Sequence, residues 1–331
     1  MNVEMENGWR VAVTIGFVIM LAILPAEGSA EDSAAPPEAA AQETPVAGAE
    51  ATPEPGRRTL ASRLLGATPE ERARLEAEKV RISAAAASFG TDPTAIIGYY
   101  ELTYGHFAFT NNLRFDVASA EVRVPVTPNW LLRVTVPYVW ADLNGQRGFA
   151  TNGLSDTLVR NGGRVYASPN LAVFVGLDAT FPTATNRMLG TGKYTLGPGG
   201  AVAVPLPRLR SLFIALVQDF NSVGGDPSRR NIHFMQVTSA VNTIWSERWW
   251  TTASIQWDMD WNQNRKTTMN LQGEIGHSLD RHWNLFAGAG AGVVGRDTFL
   301  GLDWTAQVGV RWMFSPGSLF AHKFVEGLPK D

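Results

Sequence analysis

Apolar and polar residues alternate strictly along the stretch LDWTAQVGVRWMF, from Leu302 to Phe314. Every second residue, starting with Leu302 and Trp304, is apolar, and Asp303 and Arg311 lie among the polar or small residues between them. Successive side chains of a β-strand point to opposite faces of the sheet. The pattern therefore predicts a strand with one apolar face and one polar face.

The same period of two recurs from residue 95 onward and predicts twelve strands. The predicted strands are 95–108, 113–126, 130–142, 153–167, 171–184, 194–206, 211–222, 231–245, 248–261, 266–279, 282–295 and 300–314. Tight turns such as TPN (127–129) alternate with longer polar loops such as 142–153 and 185–193. An even strand number with short turns at one end and longer loops at the other is typical of outer-membrane barrels. We therefore predict an all-β fold, a transmembrane antiparallel β-barrel of twelve strands over 95–314.

A strand inside a bilayer must belong to a closed barrel, because hydrocarbon offers its backbone no hydrogen bonds. One face of each strand then meets lipid and the other faces the lumen. The charged candidates for lining the lumen are Glu101, Glu121, Arg123, Arg133, Asp156, Arg160, Arg164, Asp178, Asp258, Asp260, Glu274, Asp303 and Arg311. Strands 211–222 and 231–245 alternate poorly, so the pattern assigns no clear face there.

Aromatic residues cluster near the predicted strand ends, several of them directly after a tight turn. Aromatic side chains near both membrane surfaces form the girdles of transmembrane barrels. The predicted girdle residues are Trp130, Tyr138, Trp140, Phe181, Trp249, Trp250, Trp257, Trp261, Trp283, Trp304, Trp312 and Phe314. A water-soluble β-sandwich or small barrel is the alternative, but such a fold buries its apolar face and has no need of aromatic bands at both strand ends.

The region before the barrel has three predicted parts. Residues 1–30 contain an apolar stretch, a proline and small residues, which predicts a signal peptide, with an uncleaved anchor as the alternative. Residues 31–67 are rich in Ala, Pro and Glu and predict an extended linker. Residues 68–90 predict a helix that begins with a capping box and lies in the periplasm or in the barrel mouth, as a plug, a partner-binding element or a solvated spacer.

The predicted barrel is followed by a tail, residues 315–331, although the last strand could instead include SLFAHKF.

Composition narrows the classes of protein further. The net charge of −3 gives no indication of nucleic-acid binding. The mean hydropathy of −0.07 excludes a helical membrane protein. The absence of cysteine excludes disulfides and thiolate chemistry, and it suits passage through an oxidising periplasm.

A hydrolase site or a metal site would be the alternatives to a channel. The chain has five histidines, and His277 next to Ser278, or His233 near Asp226 and Ser228, are the nearest approaches to a hydrolase site. Neighbouring residues of a strand face opposite ways, so His277 and Ser278 do not form a pair. Asp258, Asp260 and Glu274 could hold Ca²⁺, but pairing with inward arginines is the favoured interpretation. We predict no enzyme, metal or cofactor.

Several motifs resemble a known family. VPVTPNWLLRVTVPYVW (124–140), GLSD (153–156), FPTAT (181–185) and GTGKYTLGPG (190–199) resemble the outer-membrane transporters grouped as the MetA-pathway of phenol degradation family. The resemblance covers about 95–314. It implies a closed barrel and the passage of small hydrophobic or aromatic compounds, and it supplies no defined binding residues.

The favoured function is an outer-membrane channel for passive passage of small solutes, filtered by lumenal charges and outer loops. The alternatives are a closed structural barrel whose N-terminal segment binds a periplasmic partner, and an outer-membrane lipid-directed hydrolase. The expected partners are the lipid bilayer, the outer-membrane assembly machinery and a small-molecule solute, and no nucleic acid. The expected location is the outer membrane, with the linker and helix in the periplasm.

Overall fold

The structure, a computed structural model, describes residues 68–110, 113–143, 150–295 and 301–314. In these residues a helix, α1, spans Pro69–Phe89 and precedes the strands. The strands are β1 (Gly98–Phe109), β2 (Leu113–Thr127), β3 (Trp130–Leu143), β4 (Thr151–Leu154), β5 (Thr157–Ala167), β6 (Ala172–Phe181), β7 (Lys193–Leu206), β8 (Ser211–Gly225), β9 (His233–Ile244), β10 (Trp249–Asp260), β11 (Lys266–Ser278), β12 (Trp283–Val294) and β13 (Leu302–Phe314). The predicted signal peptide, linker and tail lie outside the described residues.

The strands form one closed antiparallel barrel. Apart from β4 and β5, each strand pairs with its neighbours in sequence, and β1 pairs with β13, so the first and last strands close the ring. β4 and β5 both pair with β3, at 138–141 and 130–135 respectively, and so share one position around the barrel. The thirteen segments therefore make twelve positions, which confirms the predicted twelve-stranded barrel.

The two faces of the barrel wall differ as the alternation predicts. On β13, Trp304, Val308 and Trp312 are exposed on the outer surface, and Thr305 and Arg311 are buried inside. Most of the predicted girdle aromatics also lie wholly or partly exposed near the barrel ends. They are Trp130, Trp249, Trp283 and Trp312 towards the tight turns, and Tyr138, Trp140, Phe181, Trp257, Trp261 and Trp304 towards the long loops.

Two predicted girdle residues are placed differently. Trp250 is fully buried, at 0% exposure, and its ring stacks on Phe89 of α1 with centroids 4.5 Å apart. It faces the barrel interior because it is adjacent to outward-facing Trp249 on the same strand, so its assignment to the girdle is wrong. Phe314 differs in exposure, at 8%, although its ring lies against the outward-facing rings of Tyr100 and Trp312.

The C-terminal half of α1 lies inside the barrel, at the end where tight turns join the strands (the short-turn end). Its buried side chains join an interior apolar cluster. The cluster contains Ile82, Ala86, Phe89, Ala203, Leu212, Ile214, Ala240, Ile244, Trp250 and Phe286. Burying a side chain of the size of Ile or Phe stabilises a fold by about 1.5–3 kcal/mol. The inward-facing residues of β8 and β9 that contact the helix are apolar. Because the outer face of these strands is apolar too, the sequence does not alternate clearly there.

The first turn of α1 belongs to a separate compact unit, of which residues 68–74 are described. The capping box predicted from the sequence is present in it. The Thr68 backbone N–H donates to Glu71 Oε2 at 3.0 Å, and the Glu71 N–H donates to Thr68 Oγ1 at 3.2 Å. Two backbone donors at the start of the helix are satisfied in this way.

Replacing Gly276 with alanine should destabilise the barrel. Gly276 is the register partner of Trp250, and a Cβ at this position would overlap the indole ring that α1 packs against. Overpacking of this kind costs about 1–3 kcal/mol. The measurement is the urea unfolding midpoint of the detergent-solubilised barrel, followed by tryptophan fluorescence.

Gly273→Ala is the matched control for this experiment, because a Cβ at Gly273 on the same strand would meet no atom within 4 Å. Its midpoint should stay the same or rise slightly, since alanine restricts the unfolded chain. Equal destabilisation by both variants would contradict the packing of Trp250 described above.

Candidate functional site

The interior of the barrel is the candidate functional site, and its short-turn end is filled by residues 82–97 (the inner segment). Barrel side chains donate hydrogen bonds to the last carbonyl groups of α1. Asn284 Nδ2 donates to the Ser88 carbonyl at 3.1 Å, and Arg311 Nη1 donates to the Phe89 carbonyl. Helix C-termini leave such carbonyl groups without intrahelical partners. The barrel wall satisfies these two and so fixes the end of the helix.

The chain leaves the helix through a left-handed turn at Gly90, which has a φ of +74°. The Thr91 N–H donates to the Ala86 carbonyl at 2.9 Å, as in a glycine-terminated helix end. The Arg311 side chain lies directly over Gly90, where a Cβ would overlap it. Glycine therefore meets two demands here, the backbone conformation and the close approach of the arginine.

The rest of the inner segment is also held by polar side chains of the wall. Thr91 Oγ1 donates to Asn242 Oδ1 at 3.1 Å. Arg123 Nη2 donates to the carbonyl groups of Pro93, at 3.2 Å, and Ala95. Burial raises the pKa of Asp92 above its usual value, although the charges of nearby arginines act in the opposite direction.

Ion pairs join neighbouring strands along the interior wall. Arg311 and Glu101 are register partners on β13 and β1, with their side chains 2.5 Å apart. Arg160 binds Asp178 through two hydrogen bonds of 2.6 Å, and Gln218 Nε2 donates to the same carboxylate at 2.8 Å. Bidentate pairing of this kind fixes the geometry of both side chains.

Glu121 and Arg133 form a looser pair. Their charged atoms are 3.8 Å apart, and Glu121 accepts its hydrogen bonds from Tyr99 at 2.9 Å and Thr135 at 2.8 Å. The structure thus brings together several predicted lumen residues on β1, β2, β3, β5, β6 and β13. Tyr99 and Gln218 also take part in this network, and because both are uncharged, the pattern of charged residues does not predict them.

The three carboxylates weighed as a Ca²⁺ site have separate partners. Asp258 accepts hydrogen bonds from Gln236 and Gln256 at 3.0 and 2.8 Å, and Glu274 accepts one from Trp250 Nε1 at 3.2 Å. Asp260 accepts from the Asn262 backbone N–H at 2.9 Å, at the end of its strand. In the described part of the chain, no three His, Cys, Asp or Glu side chains are grouped so that they could hold a metal ion.

A small polar cavity lies against the wall formed by β10 to β13. Its volume is about 20 Å³, room for about one water molecule. The polar side chains that line it are Thr252, Ser254, Gln272, Glu274, Thr305 and Gln307. Gly273, Gly288 and Ala289 also line the cavity, and their lack of bulk leaves space on this side of the interior.

The long-loop end is narrowed by residues 182–192 (the inner loop), which fold into the barrel. Leu189 is fully buried in an apolar cluster that includes Phe109, Phe115 and Val139. Asp156 Oδ2 accepts hydrogen bonds from Thr191 N at 2.6 Å and Thr191 Oγ1 at 2.7 Å, and Ala184 N donates to Oδ1 at 3.3 Å. Asp156 was predicted as a lumen residue, and its contacts anchor this loop.

The remaining predicted lumen residues also have described positions. Arg123 and Arg164 lie at the short-turn end, where both act electrostatically on Asp92. Asp303 lies near the long-loop end of β13 and is half-buried. Of the two loops expected to filter solutes, 185–193 is described, whereas 142–153 lies partly outside the described residues.

The histidines weighed for catalysis have other neighbours. His233 lies 3.4 Å from Asp219, and the ring of His277 packs on Trp249 with centroids 4.2 Å apart. Ser228 Oγ donates to Asp226 at 2.7 Å, and Ser278 Oγ donates to the carbonyl of Asp280. Neither serine is aimed at a histidine in the way that nucleophilic catalysis requires.

Within the described ranges, no helical stretch combines the length and apolarity needed to cross a membrane.

Replacing Asp156 with alanine should release the inner loop. The change removes the acceptor of three hydrogen bonds and leaves the buried Thr191 N–H unpaired, a cost of about 1–3 kcal/mol. Arg187 is exposed on this loop and offers a trypsin site. The measurement is the rate of tryptic cleavage after Arg187 in the folded barrel, which should rise.

Asp280→Ala serves as the control, because Asp280 also accepts backbone hydrogen bonds, from His282 and Trp283, but in a tight turn at the opposite end. Cleavage after Arg187 should be unchanged in this variant. An Asp156→Ala protein cleaved at the wild-type rate would show that the loop is held by its apolar contacts alone.

No protein-family model matches this chain, and no curated protein matches it. The chain is similar to the solved NanC porin, with a TM-score of 0.50 and 11% identity over 65% of this chain and 100% of that one. It is also similar to an outer membrane channel from Pseudomonas putida F1, with a TM-score of 0.52 and 11% identity over 66% of this chain and 96% of that one. At this identity the likeness shows the fold, a closed antiparallel barrel of the kind found in outer-membrane channels and porins.

Proposed function

We propose that this chain is an outer-membrane channel through which small solutes diffuse passively. The observation that carries the proposal is the division of the barrel into an apolar outer surface and an interior lined by polar and charged side chains. A closed barrel with exposed aromatics near both ends suits a bilayer, since every strand has a partner and the indole rings suit the interface. The polar interior would offer a solute a hydrated path.

The tight turns are proposed to face the periplasm, as they do in bacterial outer-membrane barrels. The proposed location of the linker at 31–67 and of the helix is the periplasm. The outer-membrane assembly machinery is the proposed partner during insertion, and residues 142–153 and 185–193 belong to outer loops that filter solutes.

The proposed solutes are small molecules, including hydrophobic or aromatic compounds, as the resemblance to the MetA-pathway family implies. Apolar side chains occur at both ends of the interior and charged pairs between them, which supports a path for molecules with apolar parts. The inner segment and the inner loop are the two proposed constrictions, and movement of either would widen the path.

A closed structural barrel remains the second candidate, because the interior at the short-turn end is tightly packed. Ile82, Ala86 and Phe89 are at most 2% exposed. If the inner segment never leaves, the barrel conducts nothing, and the N-terminal region would act by binding a periplasmic partner.

Single-channel recording in planar bilayers tests the channel proposal with the full chain. The wild-type protein should show discrete current steps that scale with salt concentration. Phe89→Ala removes the ring that stacks on Trp250, which costs about 3–5 kcal/mol for a buried Phe. Because about 1.4 kcal/mol is a factor of ten in an equilibrium constant, the open state should gain about a hundredfold or more in population.

Trp249→Ala is the control, since Trp249 neighbours Trp250 but lies on the outer surface. The open-state population of this variant should equal that of the wild type. If the wild type, Phe89→Ala and Trp249→Ala proteins all fold but carry no current, the channel proposal is overturned and the structural barrel is favoured.

A further inference from the structure

Four arginines lie side by side on the inner face of three neighbouring positions of the barrel. Arg123 on β2 is the register partner of Arg133 on β3, and Arg133 is the register partner of Arg160 on β5. Arg164 lies four residues further along β5 towards the short-turn end. Like charges directly across a strand pair repel one another. These four residues, here called the arginine cluster, therefore need negative charge close by.

The hydrogen bonds of the cluster are incomplete. Arg160 is satisfied by Asp178 and Gln218. The Nε atoms of Arg123, Arg133 and Arg164 are buried and have no hydrogen-bond partner. Arg123 is only 5% exposed, and the Arg164 side chain donates no hydrogen bond to the described residues. Buried polar groups in folded proteins are nearly always paired, so three unpaired guanidinium N–H groups in one cluster point to an absent acceptor.

Asp178 is bound by Arg160, and the carboxylates of Glu121 and Asp92 accept hydrogen bonds from donors outside the cluster. Glu121 accepts from Tyr99 and Thr135, and it lies 3.8 Å from Arg133 without a hydrogen bond. Asp92 Oδ1 accepts from the Thr94 N–H at 2.8 Å and from its hydroxyl at 2.7 Å. Side chains near the cluster thus supply charge but not the acceptors that the unpaired N–H groups require.

Apolar surface adjoins the cluster. Arg164 is the register partner of Phe174, which packs with Leu131 and Ala201 in an interior apolar group. Ile96 and Leu216 pack against this group and are only partly buried, so some of their apolar surface stays open. A ligand at the cluster would therefore meet guanidinium groups on one side and hydrocarbon on the other.

We propose that the arginine cluster is a binding site for the carboxylate of a small amphipathic anion, whose apolar part packs against Ile96 and Leu216. Guanidinium groups are planar forks that match a carboxylate and bind it through paired hydrogen bonds. The side chain of Arg133 keeps 21% of its surface exposed, so it is accessible to an entering anion. The site deepens the proposed function and rests on it, since a solute passing through the barrel would meet the cluster.

Isothermal titration calorimetry of the folded full chain in detergent tests the site directly, with sodium benzoate as the probe. Benzamide has the same ring without the charge and should show no binding. Acetate has the charge without the ring and should bind more weakly than benzoate. Inorganic phosphate supplies an oxyanion without an apolar part and should also bind more weakly.

Arg133→Gln and Arg164→Gln should each weaken benzoate binding at least about tenfold, the factor for loss of about 1.4 kcal/mol. Arg133→Lys keeps the positive charge but loses the planar guanidinium group that forms paired hydrogen bonds, so it should retain part of the affinity for benzoate. Arg208→Gln is the matched control, because Arg208 is exposed in a tight turn, and its affinity should equal that of the wild type. The unfolding midpoints of all variants check that the barrel is intact. The midpoint of Arg164→Gln should stay close to that of the wild type, because the Arg164 side chain donates no hydrogen bond to the described residues.

Equal heats for benzoate and benzamide, or no binding of benzoate by the folded wild type, would overturn the proposed site. Phosphate binding as tightly as benzoate would refute the apolar part of the proposal. Benzoate binding by a barrel that carries no current would leave the site standing and reject the channel, so the two failures are distinguishable.

Discussion

Closure of the backbone hydrogen-bond ladder between β1 and β13 is the constraint on which the rest of this structure depends. A sheet of this length with open edges would leave two rows of unpaired N–H and C=O groups. Joining the first strand to the last removes both edges and leaves only an inside and an outside. Along each strand, alternate side chains then lie on the inner and the outer surface of the barrel.

The inner surface is not uniform, because the chain itself occupies part of the space that the barrel encloses. Apolar inner residues meet the end of α1 at one end and Leu189 at the other. Charged and amide side chains fill the zone between, where Arg160, Asp178 and Gln218 bind one another. An unpaired polar group in such an enclosed space destabilises the fold. The unpaired N–H groups of the arginine cluster are for this reason candidates for binding an anion.

The sequence predicted the barrel closely, because a period of two is a local signal that each strand carries by itself. The capping box of α1 was equally local. Other features depend on residues far apart in the chain and could not be read in this way. Trp249 and Trp250 are adjacent aromatic residues, so they point to opposite faces of β10, and the contact with Phe89 shows what the inward-facing Trp250 packs against. The poor alternation around β8 and β9 was the one available sign of the buried helix.

Arg311 has a consequence for the order in which the molecule can assemble. Its side chain bonds Glu101 on the first strand and the carbonyl of Phe89 at the end of α1, yet it is carried by the last strand. The helix end is thus among the first of these parts to be synthesised and among the last to be secured. The contacts of Arg311 with the helix end and with Glu101 form when β13 takes its place beside β1, so closure of the ring and completion of the helix contacts coincide.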